Sequence, residues 1–341
     1  MERSDVFDRF NALWDRALSG PIGTSWHWLN YHFRRGTLGS IFFTPRFLGA
    51  LIRADEFMPG YAEAMISRLE QIHGREKNPD DYNTILQLLA EVLVIDHLVQ
   101  HEWPTPATFK MEPTAGRSKK NPEVVIHLAT TGSLGVEVKS PNLEKHSAER
   151  GQNRWQVNAR DVVALDSLAG GVTKPRDNPV KSFLESADEK FQGFRESDPG
   201  FRSVLFIVWD DFINEPLTAL LAPSSGLFTT ASFAVKHGSE RHPYPNVDAV
   251  VLLRHQHQFR LGLADKRPVD ERHHLLHYGS RTDFPPHALI PNPAGKVLNQ
   301  PWLDALGAWD IADLGMAGSE YRPGEVVLWT NSGETESGSS S

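Results

Sequence analysis

Residues 135–140 read Gly-Val-Glu-Val-Lys-Ser, and this alternation constrains the fold more than any other stretch of the chain. Successive side chains of a strand point to opposite faces, so Val136 and Val138 are predicted to face a core while Glu137 and Lys139 share the other face. An acid and an amine are costly to bury unless they are paired or functional. The carboxylate can hold a divalent cation, and the ammonium can orient a water or stabilise a developing anion.

A second strand is predicted directly upstream, over residues 122–128. This segment is rich in β-branched and aliphatic residues, and Pro122 suits the first position of a strand. Residues 130–135 supply turn-forming residues between the two strands. The predicted unit is therefore a hairpin, which brings Glu123 close to Glu137 and Lys139.

Residues 84–100 are apolar nearly all round and predict a buried helix. Two acids lie in it, Glu91 and Asp96, and a buried carboxylate needs a cation, a hydrogen-bond partner or a proton. Glu91 is the first candidate for a place at the hairpin's site and Asp96 the second. A buried salt bridge to an arginine is the alternative for either residue.

An acid in a helix, a Pro-acid pair opening a strand, and Glu-x-Lys in the next strand resemble the PD-(D/E)xK nuclease superfamily over about residues 80–210. Glu91, Pro122-Glu123 and Glu137-Val138-Lys139 match the three elements, with Glu replacing the usual Asp at 123. The resemblance implies a restriction-endonuclease-like α/β fold, a mixed sheet flanked by helices. It also implies catalytic roles for Glu91, Glu123, Glu137 and Lys139, and a Mg²⁺ ion, replaceable by Mn²⁺, on Glu123, Glu137 and Glu91.

The resemblance extends these expectations to the function. It implies a metal-dependent nuclease, DNA being favoured over RNA, with a role in restriction, repair or defence. A predicted helix over residues 180–194 offers Lys190 and Gln192 as auxiliary site residues, a solvated helix face being the alternative for them. The competing hypothesis is a nuclease fold without catalysis that binds nucleic acid or protein, which the longer Glu123 and the net charge of −8 favour.

Composition limits the surroundings in which the chain can work. There is no cysteine among the 341 residues, which excludes disulfides and favours a reducing compartment. No uninterrupted apolar run approaches about 20 residues and the N-terminus lacks a leader pattern, so a cytoplasmic protein without a membrane segment is predicted. Residues 117–160 hold eight Lys or Arg against four Glu, which could confine phosphate binding to this window. A solvated surface loop explains the same charges equally well.

Two further clusters have alternative interpretations. Residues 26–35 combine aromatics with arginines, which can stack on bases, although a place in the core is favoured. His273 and His277 have the spacing of two zinc ligands on a helix, but no third ligand is evident, and surface or hydrogen-bonded histidines are favoured there and for His255 and His257.

The predicted organisation has four parts. Residues 1–78 form a helical N-terminal region, and 79–255 form the nuclease-like core, with buried strands at 203–209 and 247–253. Residues 256–331 extend this core, and 332–341 form a disordered tail. Residues 141–180 show no clear periodicity and predict a functional loop or an inserted subdomain. A homodimer and a complex with a partner protein both remain open.

Overall fold

The structure is a computed structural model of the chain. It describes the following residues: 3–34, 43–72, 78–115, 120–152, 155–156, 172–173, 176–177, 179–223, 225–232, 241–280, 287–312 and 329–330. The predicted tail at 332–341 and most of residues 153–178 lie outside the described residues.

Helices dominate the first hundred residues and then alternate with strands. The helices are α1 (Arg3–Ser19), α2 (Pro21–Thr24), α3 (Asn30–Phe33), α4 (Thr44–Phe57), α5 (Tyr61–Glu70), α6 (Pro79–Gln100), α7 (Leu143–Gln152), α8 (Pro179–Ser197), α9 (Asn214–Leu221), α10 (Gln256–Leu263) and α11 (Gln300–Leu306). The strands are β1 (Ala107–Met111), β2 (Val124–Leu128), β3 (Gly132–Lys139), β4 (Trp155–Gln156), β5 (Val172–Thr173), β6 (Arg202–Trp209), β7 (Ala249–Arg254), β8 (Ala288–Pro291), β9 (Trp309–Asp310) and β10 (Trp329–Thr330).

Seven strands form one mixed sheet in the order β1-β2-β3-β6-β7-β8-β9. The β1, β2 and β3 strands are antiparallel neighbours, while β3, β6 and β7 run parallel. The remaining strands make a small second sheet of order β10-β4-β5. The predicted mixed sheet flanked by helices is confirmed.

Apolar side chains cover both faces of the large sheet. On one face, Val136 and Val138 belong to a core that also contains buried residues of α1, α4, α5 and α6. On the other face, Leu205 and Ile207 pack with buried residues of α8 and α9. Because β6 and β7 are covered on both sides, they are continuous apolar runs, as their sequences predicted.

The buried helix is confirmed as α6, which begins earlier than the predicted residue 84. Asn78 caps it by accepting a hydrogen bond from the Asp80 N–H (3.1 Å), and Pro79 occupies the first turn. By length and composition α6 is the one described helix that could cross a membrane. However, 72% of its most apolar window is buried inside the protein, as expected for a core helix.

The hairpin is confirmed, but its turn is shorter than predicted. Residues 132–135 pair with β2 in the register Leu128↔Gly132 to Val125↔Gly135, so they extend β3. The turn closes at Gly132, which has φ +97°, a conformation that favours glycine. The small residues of 130–135 were therefore a misleading turn signal, because only the first of them make the turn.

The structure adds secondary-structure elements to two segments for which the sequence predicted none. The start of the stretch at 141–180 forms α7, whose polar sequence gives little amphipathic signal. The predicted extension at 256–331 supplies two strands, β8 and β9, to the same sheet as the hairpin. The sheet therefore continues past residue 255.

Gly135 allows close packing beside the hairpin's charged residues, and we expect Gly135→Ala to be destabilising. An added Cβ would lie 2.4 Å from Phe201 Cζ and 2.9 Å from Phe191 Cε1, and both rings are fully buried. We predict a loss of about 1–3 kcal/mol of unfolding free energy in urea titrations. Gly49→Ala in α4 is the control: its Cβ would meet its nearest atom at 3.5 Å, so this variant should be neutral or slightly stabilised. Equal effects of the two substitutions would contradict the packing argument.

Candidate functional site

The β3 strand carries Glu137 and Lys139 on the face that α8 covers. Val136 and Val138 alternate with them and point into the opposite core. The hairpin register pairs Val124 with Val136, and one further step along it places Glu123 opposite Glu137. Directly opposed residues of antiparallel strands lie on the same face, so the hairpin brings the two acids together as predicted.

Glu137 is fully buried and holds two ammonium groups on one oxygen. Lys139 Nζ lies 2.7 Å from Glu137 Oε1, and Lys190 Nζ donates to the same atom from 2.6 Å. Glu137 Oε2 is buried and has no hydrogen-bond partner among the described residues. The carboxylate is thus charge-compensated on one oxygen and available on the other.

Lys190 also reaches the second acid of the hairpin. Its Nζ lies 3.8 Å from Glu123 Oε1, and the Glu123 side chain is 11% exposed. One cationic nitrogen therefore contacts both carboxylates. This position agrees with the prediction that Lys190 is directed towards the site. Gln192 instead lies exposed and donates to Glu196 Oε1 (2.8 Å), as expected for the solvated face of α8.

The pKa values of Glu123 and Lys139 are both shifted, but for different reasons. Burial, together with the negative charges of Glu91 and Glu137, raises the pKa of Glu123 to about 8, although Lys190 and Lys139 oppose the shift. Burial by itself lowers the pKa of Lys139, but attraction and a hydrogen bond to Glu137 outweigh it, so the net shift of this pKa is upward. At neutral pH Lys139 is therefore a cation, and Glu123 holds a proton unless a cation replaces it.

Glu91 lies beside this cluster and is itself paired. Arg68 of α5 donates to both of its oxygens, at 2.6 Å and 3.2 Å, and Gln87 donates to Oε1 at 3.0 Å. Asp96, the second candidate, forms an equivalent pair with Arg53 at 2.8 Å and 2.9 Å. Both acids therefore form the buried salt bridge to an arginine that was the alternative interpretation. Glu91 still affects the hairpin, because its negative charge helps to raise the pKa of Glu123.

Gln87 is a site component that the sequence did not reveal. Its Nε2 donates to Val138 O (2.9 Å) and its Oε1 accepts from the Ser140 N–H (2.7 Å), so one amide holds the backbone on both sides of Lys139. Gln87 and Glu91 are four residues apart and share one helix face. The four-residue spacing from Glu91 was the one sequence signal for Gln87. Its role becomes recognisable only because α6 packs on the end of β3.

The histidine clusters do not form a metal site in the described part of the chain. His273 and His277 stack with ring centroids 5.0 Å apart, and His277 Nδ1 accepts from the His273 N–H. His255 is buried and bonded to Leu275 O, whereas His257 contacts Asp270 at 2.9 Å. Hydrogen-bonded histidines were favoured, and no group of three or more His, Asp or Glu residues is arranged to hold a metal ion within the described residues.

The basic window at 117–160 is described only in part. Lys139 belongs to the site, Lys120 pairs with Glu189 of α8, and Lys145 is exposed. Arg117, Lys119, Arg154 and Arg160 lie outside the described residues. A continuous phosphate-binding surface over this window therefore stays a prediction.

Comparison of the chain with family models, curated proteins and solved structures finds no match in any of the three.

The proton on Glu123 leads to a pH-dependence of stability. Because its pKa is about 8 in the folded chain and near 4.5 ordinarily, the folded state binds more protons than the unfolded state between these values. The protonated Glu123 therefore contributes fully to the unfolding free energy below about pH 4.5, and this contribution is lost as the pH rises to about 8. We expect Glu123→Gln to match wild type near pH 5 and to exceed its unfolding free energy at about pH 8.5 by on the order of 3 kcal/mol.

Urea titrations in a metal chelator at both pH values measure this difference. Glu189→Gln, which removes a surface carboxylate paired with Lys120, serves as the control and should follow the wild-type profile. An unchanged pH profile for Glu123→Gln would show that Glu123 ionises normally in the folded chain.

Proposed function

We propose that this chain is a metal-dependent phosphodiesterase of the PD-(D/E)xK type with a restriction-endonuclease-like core. The favoured activity is an Mg²⁺-dependent DNA endonuclease that works in the cytoplasm in restriction, repair or defence. One observation carries the proposal: a single ammonium, Lys190 Nζ, contacts both Glu137 and Glu123, while Lys139 shares the same carboxylate oxygen. Two carboxylates close enough to share one positive group, with a charged lysine beside them, are the groups that metal-dependent phosphodiester hydrolysis needs.

The residues fit a divalent cation held by two carboxylates. Glu137 Oε2 is a buried oxygen without a partner among the described residues, and Glu123 is an acid that lacks a full counter-charge. Mg²⁺ is commonly bound by one or two carboxylates, with waters and substrate phosphates completing its coordination. Glu123 and Glu137 would hold the ion, and Glu91, engaged by Arg68, would contribute its charge from beside them.

The charges of the cluster favour joint binding of the cation and a phosphate. Glu91, Glu123 and Glu137 balance three cationic side chains, Arg68, Lys139 and Lys190, when Glu123 is ionised. A divalent cation adds two positive charges to this balance. An anionic phosphodiester offsets one of these two charges, and Glu137 Oε2, which has no partner among the described residues, leaves an oxygen for the ion beside the one that Lys139 and Lys190 contact.

The protein's own groups have distinct roles in the proposed reaction. Lys139, charged at neutral pH, orients the attacking water or donates a hydrogen bond to the phosphate oxygen on which charge develops. Gln87 fixes the backbone around Lys139, so the ammonium stays in register with Glu137. A bound divalent cation supplies polarisation of the scissile phosphate and a lowered pKa for the bound water.

The competing proposal is a nuclease fold that binds nucleic acid or protein without cleaving it. The position of Lys190 is the observation in its favour, because its ammonium already contacts both carboxylates where a shared metal ion would bind. Two features favour catalysis over it: the Glu123 side chain is directed into the cluster, and Lys139 is bound to Glu137.

Substitution of Lys139 by methionine tests the proposed activity. Wild type should cleave DNA in Mg²⁺ or Mn²⁺, and Lys139→Met should lower the rate about 100- to 1,000-fold because one charged donor to the transition state is lost. The assay uses linear, circular and single-stranded DNA and RNA. A thermal melt followed by circular dichroism shows whether the variant is folded.

Gln192→Ala is the matched control, since Gln192 lies on the same helix as Lys190 but is exposed to solvent. It should cleave at the wild-type rate. Absence of cleavage by wild type on all substrates would favour the binding module, and a fully active Lys139→Met would place the activity elsewhere in the chain.

A further inference from the structure

The aromatic segment that begins at Trp26 divides between core and surface. Leu29, His32 and Phe33 are buried, which agrees with the favoured core interpretation. Trp26 and Tyr31 are instead 76% and 47% exposed. A core role therefore accounts for one set of side chains and leaves two large aromatic surfaces facing solvent.

These exposed side chains line an open groove of about 560 Å³ between α2 and α3. Trp26, Trp28, Tyr31 and Arg34 contribute to its walls. Arg34 is exposed, and its Nε donates to Asn30 Oδ1 (2.7 Å), which orients the guanidinium. The groove thus combines flat aromatic faces with an oriented cation.

The groove adjoins the helix that supports the candidate site. Trp28 contacts Tyr82 with ring centroids 5.2 Å apart, and Tyr82 lies near the start of α6. Asn142, three residues after Lys139, donates to Asp80 Oδ1 in the same first turn of α6 (3.2 Å). Tyr82 and Glu91 are separated by about 14 Å along the helix, at 1.5 Å per residue. A few nucleotides of an extended strand span such a distance.

We propose that this groove binds the bases of single-stranded nucleic acid. Bases of any sequence stack on tryptophan and tyrosine faces, and arginine adds attraction to the base and to phosphate. The Tyr31 hydroxyl donates to Asp265 Oδ2 (3.2 Å), which helps to hold the Tyr31 ring in place.

The proposal rests on the proposed function for its biological sense, because the groove would hold a strand near the phosphate site. Its physical content is separate, since stacking on Trp26 and Tyr31 needs neither the metal nor Lys139. Binding can therefore be measured without cleavage.

The experiment measures binding of a fluorescently labelled twelve-nucleotide oligothymidine by fluorescence anisotropy, in a metal chelator. Wild type should bind, and Trp26→Ala and Tyr31→Ala should each weaken binding about 5- to 100-fold. Phe7→Ala, which removes an exposed aromatic of α1 outside the groove, is the control and should bind as wild type does. Both substituted side chains are exposed, so unchanged melting temperatures are expected.

The outcomes separate this proposal from the proposed function. Loss of binding in the two groove variants supports the groove whether or not wild type cleaves DNA in Mg²⁺. If wild type cleaves DNA but the groove variants bind the oligonucleotide as tightly as it does, the groove proposal is overturned and the nuclease proposal stands. Absence of oligonucleotide binding by wild type also overturns the groove proposal.

Discussion

The site depends on one interaction, the buried Glu137 carboxylate held between two ammonium groups. A charge with no exposed surface is stable only when it is paired, and loss of one partner of such a pair is strongly destabilising. Lys139 comes from the same strand as Glu137, and Lys190 comes from α8 across the face of the sheet. The pairing therefore couples the hairpin to the helix that covers it and sets the distance between them.

The surrounding packing keeps this arrangement in register. Gly135 lets Phe191 and Phe201 approach β3, so α8 lies close enough for Lys190 to reach Glu137. On the opposite face, Gln87 holds the backbone of β3 at both sides of Lys139. The backbone beside Lys139 is thus held by hydrogen bonds, whereas the Lys190 ammonium contacts both carboxylates at the place where the proposed metal ion would bind.

The placement of the hairpin's charged residues was predictable from sequence because it depends on residues that are close together in the chain. Alternation placed Glu137 and Lys139 on one face, and a short connection brought Glu123 beside them. The partners of Glu91 and Gln87 were not predictable, since Arg68 and the β3 backbone meet α6 only through tertiary packing. The helix α7 was not predicted because its polar sequence lacks an apolar stripe. Residues 26–34 divide between core and surface because of the arrangement of α2 and α3, which no periodicity in the sequence encodes.

The most direct test of the account is the location of Mn²⁺ in crystals of the protein grown with the metal and a phosphorothioate oligonucleotide. Anomalous scattering identifies the ion independently of the coordinates. We predict a peak about 2 Å from oxygens of both Glu123 and Glu137, with Lys190 Nζ moved off Glu137 and a phosphorothioate oxygen on the ion. Peaks elsewhere only, with Lys190 still bound to Glu137 in the presence of saturating Mn²⁺, would contradict the claim that these two carboxylates form a cation and phosphate site.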